Sequence, residues 1–366
     1  MDVDQSIPIA LFSRMDAIQN DRAVVMSESQ HTRYLGLDVL RGLAAIYVML
    51  SHYTSYCLRN FGDVPFHIPR ETGDYAVWLF FMISGFVIFF TIERSKNWVD
   101  FAVSRTTRLY PVYWITLTIV FVVEGLWSKT HGFWLGGYVA NMTMLQEYLG
   151  YENHDVVYWS LTIEVAFYVI MAIIFRAGLT QRIGTVVLAW LSMSWIAVWV
   201  ARGLGLSMPT ILTRYLIVQY IPFFLLGIML YLNCTRGQSA QRRAIMAVSL
   251  ATVWLIHGTV DFVVATGLFF AAAFAVSERG KFLATPTLLW LGAISYSLYL
   301  IHRNLGYRAM TEMHQYGWPT WAMLAVTICG ALALATTLTY LVERPLCVYL
   351  RGVIARLRGK TTSRTV

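Results

Sequence analysis

Long apolar runs recur along almost the whole sequence, and they constrain the fold more than any other feature. A helix of about 20 predominantly apolar residues crosses the hydrocarbon core of a bilayer. Runs of this kind cover residues 36–57, 74–93, 107–126, 159–176, 184–200, 212–232, 244–258, 260–276, 288–306 and 319–342. They are too long for barrel strands and lack the two-residue alternation of such strands. The sequence therefore predicts an all-α polytopic membrane protein, a bundle of about ten transmembrane helices.

The composition fits a membrane protein and gives no reason to expect a nucleic-acid partner. Hydrophobic residues make up 57% of the 366-residue chain and charged residues 13%, against about 25% charged residues in soluble domains. The net charge of +8 is explained by the concentration of Lys and Arg in the cytoplasmic loops of membrane proteins. The four cysteines have neither metal-ligand nor disulfide-framework spacing, and no metal is expected.

The charges of the loops predict how the bundle is oriented. With both termini in the cytosol, 20 Lys and Arg residues fall on the cytosolic side and 7 on the outer side, and Arg41 lies inside the first run. This asymmetry favours an even number of spans with both termini cytosolic. Residues 1–35 are then a cytosolic tail, 36–342 the transmembrane domain, and 343–366 a basic cytosolic tail. The loop 127–158 is predicted to lie outside.

The first apolar run carries charges that a bilayer disfavours, namely Asp38 and Arg41, together with His52. A charge at bilayer depth costs at least about 2.5–3.5 kcal/mol, so such groups usually face the bundle interior or a watery cavity. Asp38 and Arg41 are three residues apart and can pair. Arg41 and His52 are eleven apart, about three turns or roughly 16 Å along one helix face. These groups are either an interfacial anchor with a satisfied histidine or part of a functional site.

Two further motifs place polar groups at depths similar to those of Arg41 and His52. Arg105 and Arg108 lie one turn apart at the predicted cytosolic mouth of the third run. Two guanidinium groups suit phosphate because each donates parallel hydrogen bonds, although a basic topological anchor is the alternative. Glu164 lies roughly level with His52 in the fourth run, and a carboxylate beside an imidazole can hold its tautomer.

Three other side chains are candidates for an acceptor pocket. Trp159 suits the outer interface. Ser84 precedes Gly85, and this pair permits close helix approach, which makes packing the simpler interpretation for Ser84. His302 lies towards the outer end of the ninth run, where an interfacial position is the simpler interpretation.

Taken together, these motifs resemble the integral-membrane acyltransferase-three family, which includes the O-acetylases of bacterial surface polysaccharides. The matching pieces are Asp38 and Arg41-Gly42 followed by His52, FFMISG at 80–85, RTTRLYP at 105–111, WSLTIE at 159–164 and ISYSLYLIH at 294–302. They are spread over nearly the whole predicted membrane part.

The resemblance implies transfer of an acyl group, usually acetyl, from cytosolic acyl-CoA to a hydroxyl of an extracytoplasmic or membrane-linked saccharide or glycolipid. Exopolysaccharide and lipopolysaccharide are such acceptors. It implies catalytic importance for Arg41 and His52 and donor binding near Arg105 and Arg108, with Tyr110 in the same motif. It also implies a stand-alone enzyme of the bacterial cytoplasmic (inner) membrane, without the extracytoplasmic domain that is fused to many relatives.

The residues themselves leave several mechanisms open. His52 is the candidate general base on the acceptor hydroxyl, or a transient acyl carrier. Glu164 would orient His52 or balance its charge, and Arg41 would contact the donor or pair with Asp38. A homo-oligomer is compatible with the sequence. The alternative function is a proton-coupled transporter or flippase of a lipid-linked sugar, because buried acidic, basic and histidine side chains also suit proton coupling.

Overall fold

The structure is a computed structural model that describes residues 34–127, 135–205, 213 and 215–362, and this part of the chain is helical without β-strands. The N-terminal tail and part of the predicted 127–158 loop lie outside the described residues. The α-helices are α1 Leu35–Phe61, α2 Gly73–Arg94, α3 Trp98–Trp127, α4 Leu135–Met142, α5 Trp159–Arg176, α6 Ile183–Gly203, α7 Ile221–Arg236, α8 Ala240–His257, α9 Thr259–Ala275, α10 Pro286–Gln315, α11 Thr320–Leu338 and α12 Arg344–Thr362.

The all-α membrane class is confirmed by the length and composition of these helices. Six segments of the described residues are long and apolar enough to cross a membrane: Leu35–Phe61, Arg70–Arg94, Trp98–Leu126, Val156–Arg176, Leu179–Gly203 and Thr320–Ile354. Two shorter apolar helices, α7 and α9, accompany them. Ten spans and cytosolic termini remain predictions.

The third helix begins earlier than the apolar run indicates. Its first residue is Trp98 rather than residue 107. The side chain of Asn97 accepts a hydrogen bond from the backbone N–H of Asp100 at 2.9 Å, which satisfies one of the free donors at a helix start. Arg105 and Arg108 therefore lie within the helix, not at its mouth.

The chain stays helical beyond residue 342, where the last apolar run ends. A π-helical turn, Thr339–Glu343, connects α11 directly to α12. Pro345 is the second residue of α12 and directly follows the π-helical turn, an irregularity of the kind found where a proline interrupts the helical hydrogen bonds. The proline is accommodated at the junction between two helical segments and does not stop the chain.

Helices α2 and α7 approach each other at two glycines. A Cβ atom on Gly85 would overlap the carbonyl oxygen of Phe224, and one on Gly227 would overlap that of Met82. The close approach expected at Ser84-Gly85 is thus confirmed.

Helices α1 and α10 are in similarly close contact. A Cβ atom on Gly42 would overlap backbone atoms at Gly292, and one on Gly292 would overlap the carbonyl oxygen of Asp38. This contact brings the helix that carries Arg41 and His52 against the helix that carries the ISYSLYLIH motif.

Candidate functional site

A narrow cavity between α1, α2, α3, α5 and α10 is lined by charged side chains. Arg41, Arg105, Arg108 and Glu164 line it together with Ser84, and we call it the arginine cavity. Its volume is about 90 Å³, below the roughly 300–1,000 Å³ of common ligand pockets. It is a slot that suits a thin chain better than a globular ligand.

Opposite charges offset one another at the arginine cavity. Arg41 Nη1 lies 3.7 Å from Asp38 Oδ1, so the predicted pairing of these two residues is confirmed. Glu164 and Glu343 also attract Arg41, whereas Arg108 repels it. Guanidinium groups and carboxylates that stand together in this way reduce the cost of holding charge at membrane depth.

Glu164 belongs to the arginine cavity and does not pair with His52 in the described structure. Its Oε1 accepts hydrogen bonds from Ser84 Oγ at 2.8 Å and from Tyr168 Oη at 2.6 Å. Ser160, Glu164 and Tyr168 all line this cavity, because residues four apart share a helix face. The expectation that Glu164 lies beside His52 to orient it is therefore corrected, and Ser84 lines the same cavity as Glu164.

Arg105 has an unused hydrogen-bond donor in this region. Its Nε atom is buried and has no hydrogen-bond partner among the described residues. Tyr110, expected beside the donor as well, does not line the arginine cavity. Its hydroxyl donates to the carbonyl of Thr143 at 2.8 Å, so Tyr110 ties α3 to the segment after α4.

A second, larger cavity contains His52, and we call it the histidine chamber. It has a volume of about 750 Å³ and is lined by Val48, His52, Arg70, Glu71, Gly73, Asp74, Tyr75, Val77, Trp78, Val156, Val157, Trp159, Gln219, Tyr220, His257, Asp261 and Tyr299. Trp159 and His52 thus share one cavity. Most of the other polar lining residues lie just before α2 and α7 or at the adjoining ends of α8 and α9, so no long apolar run points to them. The described residues contain no group of three or more His, Cys, Asp or Glu side chains suited to a metal ion.

His52 is paired with His302. The Nδ1 atom of His52 lies 2.9 Å from the Nε2 atom of His302. Hydroxyl groups hold both backbones, since Tyr53 donates to the carbonyl of His302 at 2.7 Å and Tyr307 to that of His52 at 3.3 Å. His302 is only 1% exposed. It therefore lies behind His52 and is not part of the chamber wall.

Tyr299 separates the two cavities. Val77 and Tyr299 line both of them. The Tyr299 hydroxyl lies 2.7 Å from Ser160 Oγ and donates to the carbonyl of Val157 at 3.0 Å. Its ring packs edge to face on Phe80, with centroids 5.6 Å apart. One fixed aromatic side chain therefore stands between the arginine cavity and His52.

Asp155 attaches the start of the Val156–Tyr158 turn to α10, next to His302. Its fully buried carboxylate accepts hydrogen bonds from the backbone N–H of Val157 at 3.1 Å and of Asn304 at 3.2 Å. Nη1 of Arg303 lies 3.3 Å away. Burial raises the pKa of Asp155, and Arg303 and the two N–H groups oppose this effect. The contacts fix the segment of α10 that carries His302.

Known proteins that are similar to this chain indicate its family. Residues 34–340 match the acyltransferase-3 family model, described as an acyltransferase domain. The chain is also similar to nodulation protein 10 of Rhizobium leguminosarum bv. viciae, with 25% identity over 364 residues that cover 87% of this chain and 95% of that protein. No solved structure matches the chain. The matched range includes both cavities and the histidine pair.

Proposed function

This chain belongs to the acyltransferase-3 family, and on that premise we propose that it is a membrane-bound O-acyltransferase. It moves an acyl group, most simply acetyl, from cytosolic acyl-CoA to a hydroxyl of a saccharide or glycolipid on the other side of the membrane. The observation that carries the proposal is the pair of cavities that meet at Tyr299. One offers guanidinium groups to a donor, and the other offers an imidazole to an acceptor.

The arginine cavity supports the binding of the pantetheine arm of the donor. The pantetheine arm of acyl-CoA is a thin, uncharged chain with two amide groups, and a narrow, charge-balanced slot suits such a chain. The buried Nε of Arg105 can donate to an amide carbonyl of this arm. Arg108 lies one turn along α3 and can bind the phosphates that follow the arm.

The histidine chamber supports a saccharide acceptor. Its volume of about 750 Å³ lies within the roughly 300–1,000 Å³ range of small-molecule sites. Aromatic side chains such as Trp78, Trp159 and Tyr220 offer apolar faces to the C–H groups of a sugar ring, and Arg70 and Asp74 offer hydrogen bonds to its hydroxyls.

His52 supplies the acid–base chemistry in this proposal. As the acceptor hydroxyl oxygen attacks the thioester carbonyl, the imidazole takes the hydroxyl proton. A new C–O bond forms, the C–S bond breaks, and the departing thiolate of CoA takes a proton back from the imidazolium. A route through an acyl-histidine uses the same side chain as a nucleophile. Tyr299 lines both cavities, at the place where the two substrates would meet.

Transfer can be tested in sealed membrane vesicles from the producing bacterium, deleted for this gene and complemented with it. Inverted vesicles given radiolabelled acetyl-CoA should incorporate label into extracted saccharides and glycolipids, and vesicles without the protein should not. Right-side-out vesicles should incorporate label only after permeabilisation. Vesicles that move a lipid-linked sugar without consuming acetyl-CoA would contradict the proposal and support a flippase.

A further inference from the structure

The hydrogen-bond partners of His302 define which of its ring nitrogens carries a proton. Its Nδ1 atom lies 2.9 Å from the carbonyl oxygen of Tyr299 and 3.2 Å from that of Leu298. A carbonyl oxygen only accepts hydrogen bonds, so Nδ1 of His302 must be the donor. A second proton would place a buried charge beside Arg303, which burial disfavours. Neutral His302 therefore presents a lone pair at Nε2.

This lone pair determines the tautomer of His52. Because Nε2 of His302 accepts, the proton in the 2.9 Å contact belongs to Nδ1 of His52. The ring planes differ by only 9° and the centroids are 5.2 Å apart, much farther than the two nitrogens. The rings therefore meet edge to edge, with the N–H directed at the lone pair. In neutral His52 the remaining nitrogen, Nε2, carries the free lone pair.

We propose that His302 is a positioning residue that holds His52 in the tautomer and ring plane whose free Nε2 serves the histidine chamber. The inference rests on the proposed acyl transfer and deepens it. Both routes, general base and acyl carrier, require an unprotonated nitrogen that faces the substrates, and both use this same atom. His302 performs the orienting role that a carboxylate plays in hydrolase triads, but it does so without adding a negative charge at membrane depth.

Two substitutions separate this role from packing and from direct catalysis. His302→Leu keeps most of the buried volume and removes the acceptor for His52. His302→Gln keeps an acceptor for His52 and a donor for the α10 carbonyls. His314→Gln is the matched control, because His314 lies on the same helix and stacks on Phe61, away from both cavities. Apparent kcat and KM for acetyl-CoA are measured in the inverted vesicles described above.

We expect His302→Leu to lower kcat by about 10²-fold or more, within the range for loss of general base catalysis, with an unchanged KM for acetyl-CoA. His302→Gln should stay within about tenfold of wild type, since its amide preserves both hydrogen bonds. Equal, small effects of the two substitutions would overturn the proposal and leave His302 a packing residue. Equal, complete losses would also overturn it, because His302 would then itself exchange a proton or acyl group.

A measurement that does not depend on catalytic turnover can test the role of His302 separately from the proposed acyl transfer. Nitrogen NMR of ¹⁵N-histidine-labelled protein, with His52→Gln used for assignment, should find the proton of His52 on Nδ1. This signature should be lost in His302→Leu and kept in His302→Gln. An inactive wild type with the proton on Nδ1 would contradict acyl transfer while supporting the positioning role. A proton on Nε2 of His52 would overturn the positioning role whatever the activity.

Discussion

His52 is the only imidazole in α1, and it faces the chamber in which we place the acceptor. We expect His52→Gln to lower acyl transfer by about 10²–10⁴-fold, because the amide cannot take up a proton near neutral pH. The binding of acetyl-CoA should not change, since the donor site lies beyond Tyr299. Vesicle transfer and isothermal titration with acetyl-CoA measure the two effects, with His314→Gln as the control. Near-normal transfer by a folded His52→Gln protein would contradict the assignment.

Arg105 is the side chain of the arginine cavity with an unpaired buried donor. A charge-assisted hydrogen bond contributes about 1.5–3 kcal/mol, and each 1.4 kcal/mol is about tenfold in affinity. Arg105→Ala should therefore weaken acetyl-CoA binding about tenfold or more, and Arg105→Lys should restore only part of it, because lysine lacks the planar fork. Arg176→Ala, which removes an exposed guanidinium that packs over Trp98, should leave the affinity unchanged. If Arg105→Ala binds acetyl-CoA with wild-type affinity, Arg105 is a topological anchor and not a donor-binding residue.

The residue pairs differ in how far the sequence alone could define them. Asp38 and Arg41 are one turn apart, so helix geometry is sufficient to predict their contact. His52 and His302 are 250 residues apart, and their contact depends on how closely α1 and α10 pack. The depth of Glu164 could be estimated from its distance to the helix start, but its direction around the helix axis requires knowledge of the neighbouring helices. For this reason the sequence alone predicts a contact between Glu164 and His52, whereas Glu164 lines the arginine cavity.

At the scale of the helices, the α2–α7 contact depends on residues without side chains. An added methyl group on Gly85 or Gly227 would overlap a backbone carbonyl of the partner helix, and overpacking of this kind typically costs about 1–3 kcal/mol. Gly85→Ala and Gly227→Ala should therefore lower the thermal unfolding midpoint in detergent. Gly267→Ala, in α9, has open space around the new methyl group and should not lower it. An unchanged midpoint in all three variants would show that the two helices can separate at little cost.

The long apolar runs predict that the helices exist, but they do not predict where the helices end. Counting apolar residues locates the part of a helix that crosses lipid and misses its polar continuation, as in the first two turns of α3. The helical continuation beyond residue 342 is not indicated by the sequence either, because the π-helical turn before Pro345 has no signature in hydropathy. The segment before α2, which supplies Arg70 and Glu71 to the histidine chamber, is irregular apart from one short 3-10 turn. Irregular segments have no period from which their side-chain directions can be derived.

At the scale of the whole molecule, the two cavities require a donor and an acceptor to approach from different directions. Arg41 and His52 are eleven residues apart on α1, roughly 16 Å or half the hydrocarbon thickness. An acyl group on the end of a long, thin arm can span this distance, whereas the nucleotide part of CoA stays near the arginine end. The proposed reaction therefore depends on which end of the bundle faces the cytosol.

The orientation can be determined by labelling single cysteines in an otherwise cysteine-free, active protein. Lys96 and Glu152 are both exposed; Lys96 lies between α2 and α3, and Glu152 lies before α5. Because 20 of the Lys and Arg residues fall on the predicted cytosolic side and 7 on the outer side, the positive-inside rule places Lys96 in the cytosol. A membrane-impermeant maleimide should label Glu152→Cys in intact cells and Lys96→Cys only after permeabilisation. The reverse pattern would place the arginine cavity on the outer side, out of reach of cytosolic acyl-CoA, and would contradict both the topology and the proposed direction of transfer.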